Sequence, residues 1–290
     1  MCTTAKRDIG IEDVRRMAYM GRVLKHLPFP AGDAEGPVCA WNLKQDERSA
    51  YYRRIVNARA AYRGMFREDM QAALERQGEA VASLLAEDGM PAALEGVEIT
   101  RQAVATGYQD IYTTVLPAFA EKTFEGLQQK AIGDTWLNAA LAFVRDQGAQ
   151  LVSLVQQTTK DLLGAIIANG FEQGQSIPAI VQQIRSQWPD VARYRAVRIV
   201  RTEVITASNV GQITGARSTA DAFGFDLVKE WVATEDGRTR ISHRIADEQQ
   251  RPLNAPFTVH GFPAMYPADP SLPPAERVNC RCTVSFIVQE

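Results

Sequence analysis

The sequence predicts a mainly α protein, with long helices followed by a small C-terminal α+β domain and an elongated form. Three observations predict it. Residues 10–217 are rich in Ala, Gln, Glu, Arg and Leu and hold only half of the 14 prolines. Apolar residues there recur at helical spacing, most clearly from Leu137 to Ile166. Residues 218–290 hold the remaining prolines, His243, His260 and a Cys-x-Cys pair, the composition of a turn-rich unit with short strands.

The elements follow in order. Asp8–Leu27 reads as a helix and 28–42, with Pro28, Pro30, Gly32, Gly36 and Pro37, as a loop; together they make a first segment, 1–42. A long-helix region, 43–175, comes next. Residues 43–87 read as one helix, irregular at Gly64 and Gly78 and ended by Gly89-Met90-Pro91. Residues 98–131 read as one or two helices, interrupted near Gly107 and Pro117. Asp134 suits the N-cap of a helix of about ten turns. Leu137, Leu141, Val144, Leu151, Val155, Leu162 and Ile166 give that helix an apolar face, and Asn169-Gly170 closes it.

The third segment, 176–290, opens with a helix from Ser176 to Trp188-Pro189, with Pro178 in its first turn. A last long helix runs from Asp190 to Ser218. Leu227–Ala233 is strand-like, Asp236-Gly237 a turn, and Arg238–Ala246 a short helix. Pro256–Val259 and Cys282–Val288 are strand candidates, and Gly261–Ala275, with five prolines, reads as an irregular loop. Helices this long bury little surface per residue on their own and lean on partners. A self-sufficient helical bundle is the competing expectation.

Composition narrows the function. The formal net charge is −2, with 46% apolar and 23% charged residues, an ordinary soluble balance. Apolar runs such as Leu162–Ala168 fall far short of the roughly 20 residues that span a bilayer. A surface that coats nucleic acid is not expected from this charge, though a local basic patch is compatible with it. The first residues lack an apolar core, so no secretory signal is expected. Cysteines at 2, 39, 280 and 282 make no disulfide framework and fit a reducing cytoplasm, bacterial or host. Gly-rich phosphate loops, Gly-x-Ser-x-Gly and His-Glu-x-x-His are all absent.

An ordered set of motifs occupies the C-terminal third. It comprises Arg201-Thr202-Glu203 with Asn209 and Gly211 on one helix, then Trp231, then Asp236-Gly237-Arg238-Thr239-Arg240-Ile241-Ser242-His243. Asp247-Glu248-Gln249, Pro256-Phe257, Tyr266-Pro267-Ala268-Asp269-Pro270 and Asn279-Cys280-Arg281-Cys282 follow. Over roughly residues 176–287 this set resembles the C-terminal domain of the phage Mu F-like minor head protein family, the head morphogenesis proteins of tailed phages. One departure is Glu248, where an Asp-Gly-Gln turn would carry glycine. The resemblance implies a structural virion component rather than an enzyme, without cofactor. It places the protein inside the capsid near the portal vertex, present in several copies, and in host cytoplasm during assembly. The implied partners are the portal protein, the major capsid or scaffold protein and packaged DNA, with no membrane; the implied work is head assembly, DNA packaging or ejection.

The same residues have chemistry of their own. His243, His260, Cys280 and Cys282 are a Cys₂His₂ set by ligand type. If Cys282 opens a strand, alternation turns both thiols to one face. His260, beside Gly261 at the mouth of the Pro-rich loop, is the weak fourth member, so the sequence argues against a metal. In the competing reading Arg238, Arg240, His243, Asn279 and Arg281 bond loop carbonyls and hold a domain short of ladder bonds. Arg201 and Glu203 point to different helix faces and anchor different parts of the domain. Glu203 lacks a partner acid or nucleophile, and Ser242 beside His243 is poorly placed as a nucleophile. Arg185, Arg193, Arg195 and Arg198, with Tyr194 between, could hold a phosphate backbone, or form a solvated face paired with a neighbour's acids. Met17, Tyr51, Tyr52, Tyr62, Met65 and Phe66 suit an interface or a core equally. Two other functions therefore stand beside the head protein: a metal-dependent enzyme or toxin-like module using His243, Cys280 and Cys282, and a DNA-binding accessory protein.

Overall fold

The computed structural model describes residues 45–125, 133–224, 226–234 and 236–289. The helix read over Asp8–Leu27, the loop after it and Met17 lie outside the described residues. Helix α1 spans Gln45–Glu87, about 65 Å at 1.5 Å per residue. It runs unbroken through Gly64 and Gly78. Gly78 is the seat of another helix's side chain: a Cβ there would lie 2.0 Å from Trp188 Cδ1. Trp188 is buried and its Nε1 donates to the Leu74 carbonyl at 2.7 Å.

Two short helices follow, α2 at Met90–Ala93 and α3 at Glu95–Ile99. Helix α4, Arg101–Glu125, is continuous through Gly107 and Pro117, against the interruption expected there. An interior proline removes one hydrogen bond, but packing can hold the helix together. Here that packing is a close backbone approach to helix α7, Ile177–Phe223. A Cβ at Gly211 would sit 2.4 Å from the Leu116 carbonyl oxygen, and one at Gly215 2.4 Å from that of Ala120. Gly107 makes room for the Met70 methyl in the same way.

Helix α5, Gly133–Phe143, starts one residue before Asp134, runs into a π-helical turn at Val144–Gly148, and continues as α6, Ala149–Glu172. The π turn shifts the phase of the apolar stripe. Leu163 and Ile167 are therefore fully buried, while Leu162, expected on the buried face, is exposed. The helix outlasts Asn169-Gly170, because Gly170 packs against Ile180. It ends instead through Gly174 at φ +69°, with Gln175 N–H bonded to the Gly170 carbonyl at 2.9 Å.

Helix α7 merges the two helices expected over 176–218. It spans 47 residues through Pro189 and is closed by Gly224 at φ +68°. Trp188, anchored in α1, holds the chain in helical register where the proline weakens it. Ser176 is its N-cap, yet the hydrophobic core does not change there. One cluster runs from Tyr51, Phe66 and Leu74 of α1 through Tyr112 of α4 and Val204 of α7 to Trp231, Val284 and Phe286. Phe124 and Trp136 form a smaller cluster with Ala120. Tyr51, Tyr62 and Phe66 are thus core, and Tyr52 and Met65 are partly buried.

The C-terminal part is built on strand β1, Leu227–Val232. Helix α8 (Ile241–Ala246), β2 (Gln250–Pro252), β3 (Phe257–Val259), β4 (Phe262–Ala264), helix α9 (Pro274–Arg277) and β5 (Thr283–Val288) follow. The sheet has the order β2-β1-β5, all antiparallel, with Trp231 opposite Val284 and Glu230 opposite both Gln250 and Ser285. Strands β3 and β4 form a hairpin through His260 (φ +51°) and Gly261 (φ +81°), the two left-handed residues of a tight hairpin turn. The stretch expected to be irregular therefore contains β4 and the first residues of α9. No helix among the described residues is long and apolar enough to cross a membrane.

Candidate functional site

The motif residues converge where α1, α4 and α7 meet the C-terminal sheet. Arg59 of α1, which sequence reasoning missed, is the hub. It is 2% exposed and all its donors are used. Nε donates to Ser208 Oγ at 2.7 Å. Nη1 donates to the carbonyls of Arg281 and Cys282 at 3.2 and 3.1 Å. Nη2 donates to Asn209 Oδ1 at 2.7 Å and Thr283 Oγ1 at 3.3 Å. Burial lowers its pKa to about 10, so it stays charged at neutral pH. Asn209 passes the bonding on, donating from Nδ2 to the Pro267 carbonyl at 2.8 Å. Thr206 Oγ1 donates to the Ala268 carbonyl at 2.9 Å. In the Tyr266–Pro270 loop, Asp269 accepts from the Met265 and Ser271 amides at 2.7 and 2.8 Å. These side chains tie loops to the helices; of the five residues expected to bond loop carbonyls, Arg240 does so, whereas Arg238 and Arg281 bond the Asp236 carboxylate and His243 faces Cys280, Cys282 and Glu276.

Arg201 and Glu203 reach different elements. Arg201 Nη1 lies 3.4 Å from Asn279 Oδ1, and Asn279, at φ +59°, donates its amide to Thr202 Oγ1 at 3.1 Å. Glu203 is buried and accepts from Arg277, Tyr112 and Tyr108. Asp236 accepts from Arg281 Nη2 at 2.7 Å and from the Arg238 amide at 2.9 Å. The Arg281 bonds hold its carboxyl well below the usual range. The Arg238 side chain lies in solvent, 3.1 Å from Asp236 Oδ2. Arg240 donates to the Val278 carbonyl at 2.6 Å. Arg48, also missed, pairs with Glu230 and with Asp247, the latter at 2.9 Å. Glu248 adopts φ +61°, the left-handed turn for which glycine was expected, so the backbone form survives without the glycine. For Arg59 and Arg48 the local signal was their helical spacing from Tyr51, Ile55 and Tyr62, with which they are buried.

His243 lies at the centre of a second group. Its ring stands edge-on to Trp231, centroids 5.7 Å apart. Nδ1 is 3.4 Å from Cys282 Sγ and 3.7 Å from Cys280 Sγ, and Nε2 is 3.2 Å from Glu276 Oε2. His243, Cys280 and Cys282 are all buried, and their ligand atoms lie within 4.8 Å of one another. Cys282 donating to Cys280 favours ionisation of Cys280, and that same bond raises the pKa of Cys282. His260 does not join. The hairpin turn carries it outward, where Nδ1 lies 2.9 Å from Glu276 Oε1. Ser242 Oγ donates to Glu276 Oε2 at 2.7 Å rather than facing His243 as a nucleophile.

The basic run does not form one face. Arg195, expected there, is buried, donating to Thr159 Oγ1 at 2.7 Å and the Val155 carbonyl at 3.1 Å. Its position on α7 faces α6, and tertiary packing claims it. Arg185 pairs with Glu79 at 2.7 Å and Arg193 with Asp190 at 2.8 Å. Arg198 lies over the Tyr194 ring at 5.5 Å. The adjoining groove of about 690 Å³ is lined by Glu68, Glu75 and Asp190 as well as Arg67 and Arg193, a wall of mixed charge.

Residues 162–285 match the family described as Phage Mu protein F like protein. That span contains the whole ordered motif set, and over it the chain is similar to the phage Mu F-like head morphogenesis proteins. Two curated proteins are similar. One is NAD(+)–arginine ADP-ribosyltransferase EFV of Enterococcus faecalis (strain ATCC 700802 / V583), 30% identical over 135 residues, which are 47% of this chain and 26% of that protein. The other is the uncharacterized protein YqbB of Bacillus subtilis (strain 168), 28% identical over 156 residues, 52% of this chain and 49% of that one. The chain thus spans about a quarter and about half the length of these relatives. No solved structure matches significantly.

Proposed function

We propose that the protein is a structural minor component of a tailed-phage or prophage head, acting at the portal vertex in head assembly and in DNA packaging or ejection. One observation carries the structural reading: the motif side chains are spent on internal ties. Glu203 has both oxygens occupied by Arg277 and two tyrosines in a buried site. Arg59, Asn209, Asp236 and Arg281 likewise bond backbone or one another. A domain held this way is a rigid binding module, and a symmetric portal ring would offer it repeated equivalent sites. Portal, capsid or scaffold protein and packaged DNA are the partners of this reading, with several copies inside each virion.

Co-expression with the portal protein from the same source tests it. The two should co-purify, and heads assembled without this chain should be defective in assembly or infectivity. Separate elution and normal heads would overturn it. Similarity to an ADP-ribosyltransferase covers a quarter of that enzyme and gives a direct counter-test: release of nicotinamide from NAD(+) by the purified chain would favour the enzyme.

A further inference from the structure

We propose that His243, Cys280 and Cys282 bind one divalent cation of the zinc class, through His243 Nδ1 and the two thiolates. The sequence argued against a metal because His260 had to be the fourth ligand. The fold separates those questions by assembling the other three without it.

The distances carry the inference. A tetrahedral zinc with Zn–N near 2.0–2.1 Å and Zn–S near 2.3 Å sets its nitrogen and sulfur ligands roughly 3.6 Å apart. The two values here are 3.4 and 3.7 Å. The backbone places both thiols independently of any ion. Arg281 between them is drawn outward to Asp236, while Arg59 and Asn209 grip the Cys282 carbonyl. Trp231 fixes the imidazole plane from the side.

The far side of the imidazole completes the argument. With a metal on Nδ1, Nε2 carries the proton and must find an acceptor. Glu276 Oε2 stands 3.2 Å away, and Nε2 has no other partner, being a buried polar atom without an aligned hydrogen bond. A carboxylate behind a ligating histidine is the usual support of such a ligand. Ser242 and His260 in turn hold Glu276, which gives His260 a supporting position rather than a ligating one. Two thiolates neutralise a divalent ion, so no net charge is buried, and thiolate with imidazole selects zinc over calcium or magnesium. Three protein ligands leave a fourth position for a solvent molecule.

The test uses the full chain. Expressed in zinc-supplemented medium, it should purify with one zinc per chain by elemental analysis. His260→Ala should keep the zinc, whereas Cys280→Ser and Cys282→Ser should lose it. Glu276→Gln should weaken zinc binding by ~10–100-fold. Should the cysteine variants fail to fold, cobalt(II) titration of the unaltered apoprotein decides: thiolate-to-cobalt charge-transfer absorption should saturate at one equivalent. Absence of that absorption, or zinc retained in a folded variant lacking both thiols, would overturn the site. Neither result bears on portal binding, so this inference and the head-protein reading fail separately.

Discussion

Arg277 Nη2 lies 2.8 Å from both carboxylate oxygens of Glu203, 74 residues away in sequence, with both side chains buried. Tyr112 Oη adds a 2.7 Å bond to the same carboxylate. Three elements, α4, α7 and α9, thereby meet on one charge. Such a pair is weak evidence of added stability, since desolvation offsets much of the attraction, but removing one member strands the other.

Glu203→Gln should therefore destabilise the fold by about 3–5 kcal/mol, leaving the Arg277 guanidinium buried and unpaired. Adding Arg277→Met should recover part of the loss, and urea titrations of both single variants and the double variant would measure the coupling. Additive losses would mean that the two residues act separately.

Arg59 makes a sharper demand, because its bonds need the planar fork. Arg59→Lys keeps the charge but cannot reach Ser208, Asn209 and the Cys282 carbonyl together. A loss of ~2–4 kcal/mol is expected, from several buried acceptors left without donors. An unchanged urea midpoint would contradict the hub described above.

Much of this was legible in the sequence, and the exceptions have one cause. The long helix over 43–87, the strand at Leu227–Ala233 and the final strand followed from periodicity and turn residues, which are local signals. The motif set 201–282 pointed to a compact C-terminal unit. What failed was inference from single residues whose meaning is set by a distant partner. Pro117 and Pro189 read as breaks, yet α4 and α7 continue because glycines at 211 and 215 let those two helices pack closely and Trp188 locks into α1. Arg195 read as surface charge and is buried against Thr159. Three of four metal candidates come together, but the hairpin turn that expels His260 was hidden in a stretch read as loop.

The glycines of the long helices should behave oppositely. A Cβ at Gly64 meets nothing within 4 Å, so Gly64→Ala should stabilise by ~1 kcal/mol through helix propensity. At Gly211 the same Cβ would collide with the Leu116 carbonyl. Gly211→Ala should push α4 and α7 apart and destabilise by about 1–3 kcal/mol or more. Paired thermal melts read both signs; a stabilising Gly211→Ala would show that this close approach is not needed.

Lys229 should make stability depend on pH. It sits on β1, fully buried, with Nζ donating to the Met265 carbonyl at 2.7 Å and lying 4.9 Å from the Phe257 ring centroid. Burial, helped by repulsion from Arg217 and opposed by Asp269, lowers its pKa from 10.5 to about 8. Below about pH 8 both folded and unfolded chains carry this proton, and the folded state bears the full penalty of the buried charge. Between about 8 and 10.5 the folded chain has released the proton while the unfolded chain still holds it, so stability rises with pH across that window. The whole rise is at most on the order of 3 kcal/mol, because a tenfold change in a protonation equilibrium is worth about 1.4 kcal/mol. Lys229→Met removes the titrating group. Other groups titrate in the same range, so the difference between the two proteins isolates Lys229: the unaltered chain should gain on the variant between about pH 7.5 and 9.5 in urea titrations. A difference that stays constant with pH would mean that Lys229 keeps an ordinary pKa in the folded protein.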